Sequence, residues 1–112
     1  MIWKIEDKKD SLWYTSDKCQ LKIKVNEDKD KVNIWLNYNG YNIIMPMGMW
    51  GFDDEVSERG LKYCIGGDHM QEWYYIVDKK DLRIFVDLIY FFIEEHDADK
   101  MINPKLGIKG WS

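Results

Sequence analysis

The chain has 112 residues, 46% hydrophobic and 32% charged, with a formal net charge of −4. That length suits one domain, 1–112, burying roughly two thirds of its unfolded surface, and the composition excludes intrinsic disorder. The acidic balance argues against nucleic-acid backbone binding as the main task, and no run reaches the ~20 apolar residues of a membrane-spanning helix.

Lys4 and Glu6 interrupt the N-terminus before any apolar run develops, so no signal peptide is expected and the cytosol is the expected location. Met1–Glu6 carries a short strand signal with Trp3 and Ile5 on one side. Glu6–Ser11 reads as a charged turn, and Leu12–Thr15 as the returning arm of a hairpin.

The stretch 18–47 organises the chain. Cys19, Leu21, Ile23 and Val25 alternate with Gln20, Lys22 and Lys24, and Val32, Ile34, Leu36 and Tyr38 alternate with Asn33, Trp35 and Asn37. Tyr41, Ile43, Met45 and Met47 follow Asn39-Gly40, the pair suited to a type I′ turn because both central residues need φ > 0. Closing both turns pairs Leu21 with Leu36 and Leu36 with Ile43, and puts one set of residues on one face throughout. A one-residue slip would invert it. The expectation is a three-stranded antiparallel meander with an apolar face and a polar one.

After Met47 the alternation stops. Gly48-Met49-Trp50-Gly51-Phe52 is read as a plug closing the core or as an exposed anchor. Asp53–Arg59 suits one helical turn with acids at its N-terminal end, stopped by Gly60. Leu61–Ile65 and Met70–Val77 read as strands, with the turn at Gly66-Gly67-Asp68. A helix is expected over 79–97, capped by Asp78. Leu82, Phe85, Val86, Ile89, Phe92 and Ile93 form its apolar stripe, and Arg83 and Asp87 are spaced to pair. This apolar arc exceeds what one flat sheet covers, so the sheet must curl around it or a partner must cover the rest. The fold class is therefore α+β: a curled antiparallel sheet built on the meander, with one long C-terminal helix packed on its apolar face. Ala98–Ser112 leaves the helix, with Leu106, Ile108 and Trp111 free to dock back.

Groups with catalytic chemistry are sparse. His69 lies near Glu72 and five residues after Cys64, with no third group to orient it. His96 follows two glutamates at a helix end, a structural position. Gly66-Gly67 is too short for a phosphate loop. Cys19 and Cys64 fit no metal or redox spacing and read as two buried thiols. No enzyme activity, cofactor or metal is expected.

Two binding readings remain. Residues 1–50 hold eight lysines against seven acids, a sum of +1, and residues 51–112 hold eight basic residues against thirteen acids, a sum of −5. With aromatics at 15%, the first reading is a small acidic inhibitor that blocks a protein partner stoichiometrically, of the type of an immunity protein or a phage-encoded counter-defence protein. Its partner would be basic, met by Trp50, Phe52, Asp53, Asp54, Glu55 and Glu58; self-association is compatible with it. The alternative is a protein that sequesters a small molecule or nucleotide with aromatic clamps, using Lys22, Lys24, Trp35 and Asn37 on the polar face of the meander. Against that alternative, the N-terminal hairpin with Trp3 and Trp13 is expected to fold over Trp35 as a second small core.

Overall fold

The computed structural model describes residues 3–44 and 51–95. The expectations for Trp50, for His96 and the helix end at 97, and for the docking of 98–112 lie outside those residues.

The hairpin β1 (Lys4–Lys8) and β2 (Ser11–Thr15) leads into the meander β3 (Gln20–Val25), β4 (Lys31–Tyr38) and β5 (Tyr41–Ile43). A short helix α1 (Phe52–Glu58), the hairpin β6 (Tyr63–Gly67) and β7 (Trp73–Asp78), and the helix α2 (Leu82–Glu95) follow. The strands form one open antiparallel sheet in the order β1-β2-β3-β4-β7-β6, with β5 also on β4. Where it is described, the meander has the expected register, with Leu21 opposite Leu36 and Leu36 opposite Ile43; β5 ends at Ile43, and the expected continuation through Met45 and Met47 lies outside the described residues. Asn39 and Gly40 both take positive φ, 55° and 83°, as a type I′ turn requires.

β4 shares its second edge. Its first half pairs with β7, Ile34 opposite Tyr75, and its second half with β5. Asn42, 2% exposed, bridges the two neighbours. Its Oδ1 accepts from the Trp73 N–H at 2.8 Å, and its Nδ2 donates to the Trp73 carbonyl at 2.9 Å and the Leu36 carbonyl at 3.3 Å. One carboxamide thus continues the ladder where no strand fits.

The apolar face carries Leu21, Ile23, Val32, Ile34, Leu36, Ile43, Tyr75 and Val77, all buried in one core with Phe85, Val86, Leu88, Ile89, Phe92 and Ile93 of α2. Phe52 is the plug at the centre of an aromatic cluster. Its ring lies 5.4 Å from Phe92, 5.8 Å from Phe85 and 5.8 Å from Tyr63. On the outer side of α2, Asp87 accepts from the Trp3 indole at 2.9 Å and pairs with Arg83 at 3.4 Å. The sheet does not close around the helix, and Ile84 and Phe91, seven residues apart on α2, stay about half exposed.

Four local expectations are corrected. Gly66 and Gly67 lie in β6, and the turn is Asp68–Glu72, because Asp68 Oδ1 accepts from the N–H groups of Met70 and Glu72 and so forms the turn itself. Gln71, at φ 63°, supplies the left-handed residue of the three-residue loop. Asp78 makes no side-chain cap. Its carboxylate binds Lys31 Nζ at 2.7 Å across the sheet, and a 3₁₀ turn, Lys79–Asp81, precedes α2. Cys64 is exposed on β6, while Cys19 is buried; both are free thiols. Finally, the N-terminal hairpin extends the sheet instead of folding over Trp35. Its two-residue turn sets Ile5 opposite Tyr14 and Glu6 opposite Trp13, so Trp3 and Trp13 fall on opposite faces.

Candidate functional site

The face of the sheet away from α2 carries a row of side chains set by strand register. Trp13 stands opposite Lys22, and Lys22 opposite Trp35. One step beyond the Ile34–Tyr75 pair, Tyr74 meets Trp35 with ring centroids 4.6 Å apart. Opposite Tyr74 is Gly66. A Cβ there would sit 2.5 Å from the Tyr74 ring, so the glycine leaves room for that ring to lie over β6.

Cations fill the spaces between rings. Lys22 Nζ lies 5.3 Å from the Trp35 centroid and 5.9 Å from that of Trp13, and Lys8 Nζ lies 4.5 Å from Trp13. Each such contact contributes about 0.5–1 kcal/mol at an exposed site. Three other lysines of this face have carboxylate partners: Lys4 with Glu6 at 3.8 Å, Lys24 with Asp10 at 3.7 Å and Lys31 with Asp78 at 2.7 Å. The last pair raises the Lys31 pKa and lowers that of Asp78, chiefly through their hydrogen bond. Among the described residues, no carboxylate lies within 4 Å of the Lys8 or Lys22 ammonium.

Both tryptophans of the row are anchored. Trp13 Nε1 donates to Ser11 Oγ at 2.8 Å, and Trp35 Nε1 to Asp68 Oδ2 at 3.0 Å. Desolvation works against the Asp68 charge. The N–H groups of Glu72, Trp35 and Met70, with nearby His69, outweigh it and hold the carboxyl below its ordinary range.

Of the residues singled out from sequence on this face, Lys22 and Trp35 come together. Lys24 is drawn to Asp10, and Asn37 stands between Gln20 and Asn42. Lys8, Trp13 and Tyr74 were missed. The signal for Trp13 is the two-residue turn after Lys8, which fixes its face; Tyr74 is placed by the β4–β7 register, which no local signal in the sequence announces.

The α1 group is dispersed. Phe52 is 1% exposed and belongs to the core. Asp53 accepts from the Tyr63 hydroxyl, and Glu55 pairs with Arg59. Burial and Asp53 together raise the Tyr63 pKa. Asp54 and Glu58 remain exposed.

Among the described residues there is no group of three or more His, Cys, Asp or Glu placed to hold a metal ion, and no helix long and apolar enough to cross a membrane. No protein-family model matches the chain, and neither a curated protein nor a solved structure matches it.

Proposed function

We propose that the chain is a non-catalytic cytosolic binding protein that blocks a partner protein by stoichiometric occupation, and that the open face of its sheet is the docking surface. This is the mode of an immunity protein against a toxin or of a phage-encoded counter-defence inhibitor. The supporting observation is the row Trp13–Lys22–Trp35–Tyr74. Interface hot spots favour Trp and Tyr. Here the rings and ammonium groups already order one another, so docking costs little side-chain entropy.

The unneutralised Lys8 and Lys22 select an acidic patch on the partner. A basic partner has less support, because Tyr63 and Arg59 already engage Asp53 and Glu55. The nucleotide-clamp reading also has less. A stacking base needs an open ring, and Trp35 is 9% exposed with Lys22 and Tyr74 against it.

The test is retention from a lysate of the producing cell on immobilised wild type, Trp13→Ala and Lys22→Glu. A protein held by wild type and lost from both variants is the expected result. Equal retention by all three would move the surface elsewhere. A nucleotide-sized molecule carried by wild type and lost from Trp35→Ala would replace this reading with the clamp.

A further inference from the structure

Among the described residues the sheet ends in two unlike edges. β1 is Lys4-Ile5-Glu6-Asp7-Lys8, four charges in five residues, which discourages another strand from adding to it. β6 is Tyr63-Cys64-Ile65-Gly66-Gly67, without charge, and Cys64, Ile65 and Gly67 are exposed. The Asp68 N–H donates to the Glu72 carbonyl at 3.0 Å, in line with the β6–β7 ladder. Antiparallel ladders alternate, so the even-numbered residues of β6 bond to β7. The backbone N–H and C=O groups of Tyr63, Ile65 and Gly67 point out of the sheet.

We infer that β6 is a self-pairing edge: two copies of the chain join antiparallel across a two-fold axis at Ile65 and make one continuous sheet. The occupant is a second copy because the strand is complementary to itself. With Ile65 opposite Ile65 of the second copy, all five residues of β6 pair. Tyr63 then faces Gly67 and Cys64 faces Gly66, so each larger residue meets a glycine. Just beyond the strand, Lys62 faces Asp68 at both ends, an opposite-charge pair. The Trp73 ring lies over Gly67, in contact at 3.4 Å with the position its Cβ would take. Ile65, 36% exposed, and Trp73, 44% exposed, share the apolar face, and pairing covers both. This inference goes beyond the proposed function and does not depend on what the open face binds.

The test is sedimentation equilibrium of the full chain from low micromolar to near-millimolar concentration, with two variants. Ile65→Pro removes an outward N–H while leaving the bonds to β7. Ile65→Lys sets like charges opposite each other. Either should shift the monomer–dimer midpoint roughly tenfold or more to higher concentration, and circular dichroism should show the fold retained; Ile65→Lys carries the test if Ile65→Pro does not fold. In the paired register the two Cys64 Cα atoms lie roughly 7–8 Å apart on the diagonal, so a short bis-maleimide should join Cys64 to Cys64 in the dimer. A wild type that stays monomeric throughout would overturn the inference. So would a dimer that a folded Ile65 variant leaves intact, or one in which Cys64 fails to cross-link.

Discussion

The side chain of Asn42 is hydrogen-bonded to both backbone groups of Trp73, at 2.8 and 2.9 Å, and so substitutes for a strand between β5 and β7. Asn42→Ala should cost about 1–3 kcal/mol, because it strands those groups. Asn42→Asp should be no milder, since a carboxylate would face the Trp73 and Leu36 carbonyls. Chemical denaturation measures both; a loss below about 0.5 kcal/mol for Asn42→Ala would show that water replaces the amide.

Gly66 and Gly67 should respond differently to a methyl group. At Gly66 the new Cβ would meet the Tyr74 ring at 2.5 Å, whereas at Gly67 the nearest atom, on Trp73, is at 3.4 Å. Gly66→Ala should destabilise by about 1–3 kcal/mol through overpacking, and Gly67→Ala by less. In a Tyr74→Ala background the Gly66→Ala cost should largely vanish, a coupling that a double-mutant cycle reads directly.

These glycines also differ from the stretch 18–47 in how much the sequence alone reveals. The stretch 18–47 was legible because every second residue repeats one choice of face, and a slip inverts it. Gly66-Gly67 looked like a turn, the usual meaning of such a pair. Its purpose is close approach: the rings of Trp73 and Tyr74 lie over it, and only the folded hairpin brings them there. Asp78 resembles a helix cap in sequence for the same kind of reason, since its partner Lys31 is distant along the chain. The polar-face pair Lys22–Trp35 followed from the meander, but its extension to Trp13 and Tyr74 needed the turn after Lys8 and the β4–β7 register.

Asp68 should make stability depend on acid. Its carboxyl is held below the ordinary range in the fold, so its contribution is full above the unfolded value of about 4 and disappears as pH falls through the lowered folded value. The stability difference between wild type and Asp68→Asn should therefore shrink between pH 6 and pH 2. A constant difference would mean that the charge of Asp68 is not what its three N–H partners hold.

Cys19 acts at the other end of the scale. Burial pushes its thiol up to about 11, with Asp17 adding to the rise and the Ser16 hydroxyl opposing it. A raised folded value gives stability that is full below the unfolded value of about 8.5–9 and is lost as pH rises toward 11, by roughly 2–3 kcal/mol. Wild type should lose more than Cys19→Ala over that range. In a native-state thiol assay Cys64 should react at once and Cys19 only after opening; equal rates would place both thiols at the surface.

Docking of an acidic protein surface on the open sheet face is tested most directly by association and dissociation rates of the captured partner with wild type, Lys22→Glu and Trp13→Ala across a range of salt. The expected result is an on-rate that falls with salt for wild type, falls further in Lys22→Glu, and loses most of its salt dependence there. Trp13→Ala should weaken binding by roughly 2 kcal/mol or more, mainly through faster dissociation, with the fold intact. Unchanged rates in both variants, or a Lys22→Glu variant that associates faster than wild type, would contradict the account.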